Sequence, residues 1–192
     1  LALSGVITSN NIDPGATGTY TFNVQNTGNG EDSVEVEFTP PQGWSRNMEP
    51  SAFTITPGAS NKQLVTVNLT TPEEIASGNY YFKVYVNSTE SSISRSITLT
   101  CKINQDYDVK VEPQTGFTTL VNAQPGDTVK WHLQVVNLGN GNDDFSVGVE
   151  GDDQDVLDNW NPSPGVSSIK NLAADDTYQL EVTAVVPSNV TT

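Results

Sequence analysis

The sequence predicts an all-β chain of two tandem antiparallel β-sandwiches, each of about seven strands and neither held by a disulfide. Three observations carry that prediction. Apolar and polar residues alternate through almost every segment, turn residues interrupt them at short intervals, and one block of sequence occurs twice.

The repeat defines the domains. PGATGTYTFNVQNTGNGEDSVEV, Pro14 to Val36, matches PGDTVKWHLQVVNLGNGNDDFSV, Pro125 to Val147, at a constant shift of 111 with ten of 23 positions identical. Tyr20 answers Trp131, Phe22 answers Leu133 and Val34 answers Phe145. QLVTVNLTTP, ending at Pro72, answers QLEVTAVVP, ending at Pro187, so a short insertion separates the two blocks. The predicted domains are residues 1–104 and 105–192, joined at Asn104-Gln105-Asp106. So short a link predicts modules held in file rather than on a flexible tether.

Within the first copy, Tyr20, Phe22 and Val24 share one face, and Thr19, Thr21, Asn23 and Gln25 the other. Val34, Val36 and Phe38 form an inward row, as do Val65, Val67 and Leu69, and then Tyr80, Phe82, Val84 and Val86. Ile93, Ile97, Leu99, Cys101 and Ile103 mark the last strand. Pro14-Gly15, Pro40-Pro41, Pro57-Gly58 and Ser77-Gly78 read as turns. Gly28-Asn29-Gly30 and Gly139-Asn140-Gly141 join strands rather than opening a helix, so they predict hairpin turns using positive φ and not phosphate loops. No segment carries a 3.6-residue apolar period. Such strand spacing is that of an immunoglobulin-like sandwich without its disulfide.

The first copy continues past Pro72 with about 25 residues of strand, whereas the second stops at Thr192, where those strands would begin. The first copy in turn starts 13 residues before Pro14. The sequence therefore reads as a stretch of a longer array. Donation of the missing strands by a neighbouring chain is the alternative.

Eight basic against 23 acidic side chains give a net charge of −15, which argues against nucleic acid as a partner. Residues 1–104 carry five basic and nine acidic groups, and residues 105–192 three and fourteen. No run of apolar residues is long enough to cross a membrane, and no leader is visible, so any signal or anchor is expected outside this stretch. The single cysteine, Cys101, cannot form an internal disulfide and has the parity of a core residue.

PGATGTYTFNVQNTGNGEDSVEVEF, followed by Gly43-Trp44, an apolar strand, Pro57-Gly58 and ASGNYYFKV, resembles the CARDB and NEW3-like immunoglobulin-like repeats of prokaryotic cell-surface proteins. The second copy departs from it. Leu172-Ala173-Ala174-Asp175 replaces the Pro-Gly turn, and Trp160 lies five residues late relative to Trp44. The resemblance implies a fold, and a role as spacer, adhesin or ancillary binding domain.

Chemistry is sparse. His132, the only histidine, has outward strand parity, and no nucleophile elbow, paired metal-binding histidines or phosphate loop occurs, so the reading is not an enzyme. Asp152, Asp153 and Asp155, with Asp158 closing the loop, form a candidate calcium site, with a solvated acidic loop as the alternative. Tyr81, Lys83 and Tyr85 are candidate contacts for a surface glycan or a partner, with Trp44 and Trp160 as further contacts from the module ends. Asn68, Asn87 and Asn189 head glycosylation sequons.

Repetition, polarity and acidity together imply an extracellular structural repeat of a larger surface protein, such as a surface layer, stalk or sheath-like array. Its partners would be neighbouring immunoglobulin-like modules of the same or adjacent chains. The alternatives are a carbohydrate- or protein-binding adhesion module, and a pilus-like subunit assembled by strand donation.

Overall fold

The computed structural model describes residues 1–151 and 154–188, with the backbone alone for 154–156. The chain divides into two compact units, Leu1–Gln105 and Asp106–Thr192. Among the described residues both are all-β but for one short helix.

The first unit consists of β1 (Ala2–Ile7), β2 (Ser9–Ile12), β3 (Thr17–Gln25), β4 (Asp32–Glu37), β5 (Ser45–Glu49), β6 (Ala52–Ile55), β7 (Lys62–Thr70), β8 (Gly78–Ser88) and β9 (Ser94–Ile103). One sheet has the order β1-β3-β7-β5 and the other β2-β9-β8-β4-β6. The leading segment supplies two strands, because the chain switches sheets near Thr8. β1 runs antiparallel to β3, while β2 runs parallel to β9. Each sheet thereby gains an extra strand at its edge.

Alternation sets the core. Tyr20, Phe22, Val24, Val65, Val67 and Leu69 are fully buried on one inner face, opposite Val34, Val84, Val86, Leu99, Cys101 and Ile103 on the other. Burying each such aliphatic or aromatic side chain contributes roughly 1.5–3 kcal/mol. The inward rows read from the sequence hold, except that Ile93 precedes β9 and is exposed.

The Tyr20 hydroxyl is buried without an oxygen or nitrogen partner and lies toward Cys101. Burial, chiefly, and the neighbouring thiol push the phenol upward, and burial likewise pushes the Cys101 thiol up. The fold therefore favours the neutral thiol. Stability it contributes is present below the ordinary thiol range and is lost as pH rises through the raised folded value. Cys101 is expected to resist a thiol reagent at pH 8 until the unit unfolds, and the denaturation midpoint to fall above about pH 9. Stoichiometric labelling of folded protein would contradict this.

The second unit consists of β10 (Val109–Pro113), β11 (Thr128–Asn137), β12 (Asp143–Ser146), α1 (Gln154–Trp160), β13 (Ser163–Pro164), β14 (Ser168–Leu172) and β15 (Thr177–Val185). One sheet has the order β10-β11-β15-β13, and β12 pairs with β14. β10, β11, β13 and β15 take the places of β1, β3, β5 and β7. The helix was not foreseen: seven residues are too few to display a helical period. It occupies the stretch expected as a continuous acidic loop, and it sets Leu157 and Trp160, three residues apart, toward one apolar surface.

The Gly-Asn-Gly segments are not hairpins. β3 and β4 belong to different sheets, as do β11 and β12, so each segment is an arch between layers. None of their residues has positive φ; that conformation falls instead on glycines such as Gly15 and Gly126 of the two Pro-Gly turns. A buried asparagine shapes each arch. The Asn26 amide donates to the carbonyls of Gly30 (2.8 Å) and Ile55 (2.9 Å), and its Oδ1 accepts from the Gly28 N–H (2.9 Å). The Asn137 amide donates to Gly141 (2.8 Å) and Leu172 (2.9 Å), and its Oδ1 accepts from the Gly139 N–H (2.9 Å). Both residues are buried, at 3% and 0% exposure, so the clamp excludes water twice at the same shift of 111.

Gly139 is required for closeness rather than for φ. A Cβ there would stand 2.5 Å from the backbone oxygen of Asp106, which passes over the arch. Gly139→Ala is expected to destabilise the second unit by about 1–3 kcal/mol, whereas Gly148→Ala, with nothing within 4 Å of the added carbon, costs far less in packing. Urea titration checks the difference.

Candidate functional site

In the first unit, β8 carries the outward stripe. Its pairing with β9 sets Tyr81 opposite Thr100, Lys83 opposite Thr98 and Tyr85 opposite Ser96, while Glu37 of β4 lies on the other side of Tyr85. Tyr81 is 67% exposed and Tyr85 45%, and Lys83 is exposed between them. The result is an aromatic and cationic row on a surface of small hydroxyl residues. It offers ring faces for stacking and one cation for a polar group.

Of the other residues singled out in the first unit, Asn87 follows Tyr85 by two positions with the same outward parity on β8, whereas Trp44 and Asn68 do not join the row. Trp44 belongs to the core: its ring meets Phe82 edge-on at 5.0 Å and Tyr80 at 5.4 Å. Tyr80 in turn donates its hydroxyl to the Ala76 carbonyl (2.9 Å). Trp160 is half-buried at the end of α1, packed against the cluster of Val129, Ala184 and Val186. Trp44 does not add to the Tyr81–Tyr85 row.

Asp152, Asp153, the Asp155 side chain and Asn189 lie outside the described residues. Asp158 is exposed on α1, and among the described residues no group of three or more acidic, histidine or cysteine side chains is arranged to hold a metal. Asn68 sits mid-strand in β7, partly exposed, its Oδ1 accepting from the Thr19 hydroxyl (2.8 Å). Asn87 donates its amide to Glu37 (2.9 Å) and accepts from Ser94 (2.6 Å). A glycan on Asn87 would displace the first of these.

His132 is half-buried beside Phe117, ring centres 4.3 Å apart, rather than on an open strand face. Phe117 lies beyond β10 in a segment whose fold alternation does not announce. Asp144 and Glu112 are held below the usual carboxylate range. The Asn171 backbone N–H and then Lys170 act on Asp144, and Lys110 and then Gln134 on Glu112. These are surface pairings, screened by water and salt.

Sequence reasoning missed Asn26 and Asn137. The signal was present in the identical N-x-G-N-G strings of the two copies, but a buried polar residue and an exposed turn residue look alike in sequence.

The second unit contains an apolar cleft of about 670 Å³ lined by Val109, Val111, Trp131, Leu133, Phe145 and Leu157, among others. Val109 and Val111 are 46% and 57% exposed, although they occupy positions of a leading strand whose inner face should pack on a core.

Among solved structures, the chain is similar to a protein of unknown function from Porphyromonas gingivalis W83, at 15% identity over 95% of this chain and 83% of that one, TM-score 0.42. It is similar also to the class 5 fimbriae chaperone CfaA, at 12% identity over 92% and 84%, TM-score 0.35. A third is surface layer protein SbsC, domains 4–9, at 13% identity over 99% and 27%, TM-score 0.33. No curated protein matches the chain in sequence. Residues 12–89 match the family model described as the NPCBM-associated, NEW3 domain of alpha-galactosidase, so the NEW3-like resemblance stands over most of the first unit.

Proposed function

We propose that the chain is a non-catalytic, extracellular structural repeat of a larger cell-surface protein, of the surface-layer, stalk or sheath-like kind. The observation that carries this reading is the duplicated architectural clamp, Asn26 in one unit and Asn137 in the other, each tying an arch across two layers. The groups that coincide between the copies serve the frame. The Tyr81 and Tyr85 of the exposed row belong to the part of the first unit beyond the repeated blocks. A net charge of −15 keeps such modules apart from one another unless salt or divalent cations screen it. The NEW3 match over residues 12–89 agrees with a module that accompanies other domains.

The test is labelling of intact cells of the source organism with antibody raised to the first unit. The reading requires surface label that external protease removes. Label that appears only after lysis would sink it.

A second reading is favoured by one observation, the exposure of Tyr81 and Tyr85 on either side of Lys83. On that reading the β8 face is an adhesion surface for carbohydrate or protein. A glycan array probed with the chain, and with Tyr81→Ala and Tyr85→Ala, decides it. Binding lost in both variants supports adhesion, and no binding above background removes it.

A further inference from the structure

Two of the sequons fall within the described residues, and their settings differ. Asn68 stands in the middle of β7, with Thr66 and Thr70 two positions away along the strand and Thr19 and Asn47 opposite it on β3 and β5. The Thr19 hydroxyl holds its amide oxygen, and the hydroxyl of Thr70, the third residue of the sequon, lies 2.7 Å from that of Thr17. None of these neighbours is aromatic.

Asn87 closes the outward row of β8. Tyr85 stands two positions before it on the same face, about 7 Å away along the strand, and Lys83 and Tyr81 continue the line. On one side β9 offers only small groups: Ser94 lies opposite Asn87, Ser96 opposite Tyr85 and Thr98 opposite Lys83. On the other side Glu35 faces Asn87 and Glu37 faces Tyr85. Nothing bulky on β9 therefore rises between the Asn87 amide and the exposed ring of Tyr85. A sugar ring presents C–H groups on one face, and these complement the negative face of an aromatic ring.

We propose that Asn87 carries an N-linked glycan whose first sugar lies on the ring of Tyr85, with the following sugars directed along β8 towards Lys83 and Tyr81. A transferase of the source cell makes the bond. Asn87 Nδ2 attacks the anomeric carbon of a glycosyl diphosphate, and the N–C bond forms as the C–O bond breaks. The electron pair leaves on the diphosphate, and one amide proton passes to a base of the transferase. The sugar takes the space in which Glu37 reaches the amide (2.9 Å), so that carboxylate becomes free to accept from sugar hydroxyls beside Tyr85. The Ser94 hydroxyl still donates to Asn87 Oδ1 (2.6 Å) and fixes the side chain. Lys83, which forms no ion pair among the described residues, can donate to oxygens of the outer sugars. The inference rests on the extracellular reading, because such transfer acts on exported chains. It gives the β8 row an occupant attached to the same chain, in place of a free ligand.

The test begins with protein from its native source, in which the peptide containing Asn87 is expected to carry a glycan. An unmodified Asn87 overturns the inference, and surface label on intact cells would then show that the extracellular reading stands without it. The seat is tested on the 192-residue chain made in a glycosylating host with Asn68→Gln and Asn189→Gln, beside the same chain carrying Tyr85→Ala or Tyr81→Ala. Ring currents are expected to move the nuclear magnetic resonances of the first sugar's ring protons upfield in the parent and in Tyr81→Ala, but not in Tyr85→Ala. Relative to the unglycosylated chain, the glycan is expected to raise the folded-to-unfolded ratio of the first unit roughly two- to tenfold, a gain lost in Tyr85→Ala. First-sugar protons at free-glycan positions in the parent, or a shift and a stability gain that survive Tyr85→Ala, would overturn the seat on Tyr85.

Discussion

Asn26→Ala is expected to lower the stability of the first unit by about 2–4 kcal/mol, which is large for a single polar residue. The side chain makes three hydrogen bonds in a site closed to water, and its removal orphans two carbonyls and one N–H. Asn26→Asp separates hydrogen bonding from shape. It keeps the acceptor for Gly28 but turns a carboxylate toward the carbonyls of Gly30 and Ile55. Near neutral pH it is expected to cost more than alanine, because the charge is buried and unpaired. Burial raises such a carboxyl in the folded state, so the deficit should shrink as pH falls and the protonated group donates to one carbonyl. Urea titrations at pH 7 and pH 5 check both statements. A loss below about 0.5 kcal/mol for alanine, within the range of an ordinary surface substitution, would show the clamp to be incidental.

Phe22→Ala and Leu133→Ala, equivalent positions in the two copies, are expected to differ sharply. Phe22 is fully buried between two complete sheets, and its truncation should cost about 3–5 kcal/mol. Leu133 is half-buried and lines the open cleft, so its truncation removes apolar area already partly in contact with water. Its cost should fall below the roughly 2–5 kcal/mol of a closed core site. The two effects are read from denaturation of each unit in the same chain, with Trp44 reporting the first and Trp131 and Trp160 the second. Equal losses would mean that the second core is as closed as the first.

Strand positions were legible in the sequence because alternation is a local property. The outward row of Tyr81, Lys83 and Tyr85 and the inward row of Phe82, Val84 and Val86 follow from parity alone. Parity does not say to which sheet a strand belongs. β3 and β4 both alternate, so their connection read as a hairpin, although the chain crosses between layers. Nor does parity extend to residues outside strands. Trp44 read as an end plug open to ligand, whereas its ring is packed on Phe82. The break near Thr8 and the seven residues of α1 are too short to leave a periodic trace. The candidate site was legible only for its strand-borne part. The clamp was visible as a repeated string, without any sign of the burial that gives it energetic weight.

The central claim is that both units follow one plan, closed in the first and, among the described residues, open along β12 in the second. Native-state amide hydrogen exchange on the 192-residue chain tests it most directly, because exchange follows local opening. Slow exchange is predicted at Val34–Glu37 and Ser9–Ile12, which are paired to β8 and β9. Fast exchange is predicted at Gly148, the equivalent of Glu37, and at residues 120–123, the equivalents of Ser9–Ile12. Val147 itself is the internal control, since its N–H is bonded to the Ser167 carbonyl (3.0 Å), as Val36 is to Ser51 (2.8 Å). Equal protection of the two sets of segments would contradict the account.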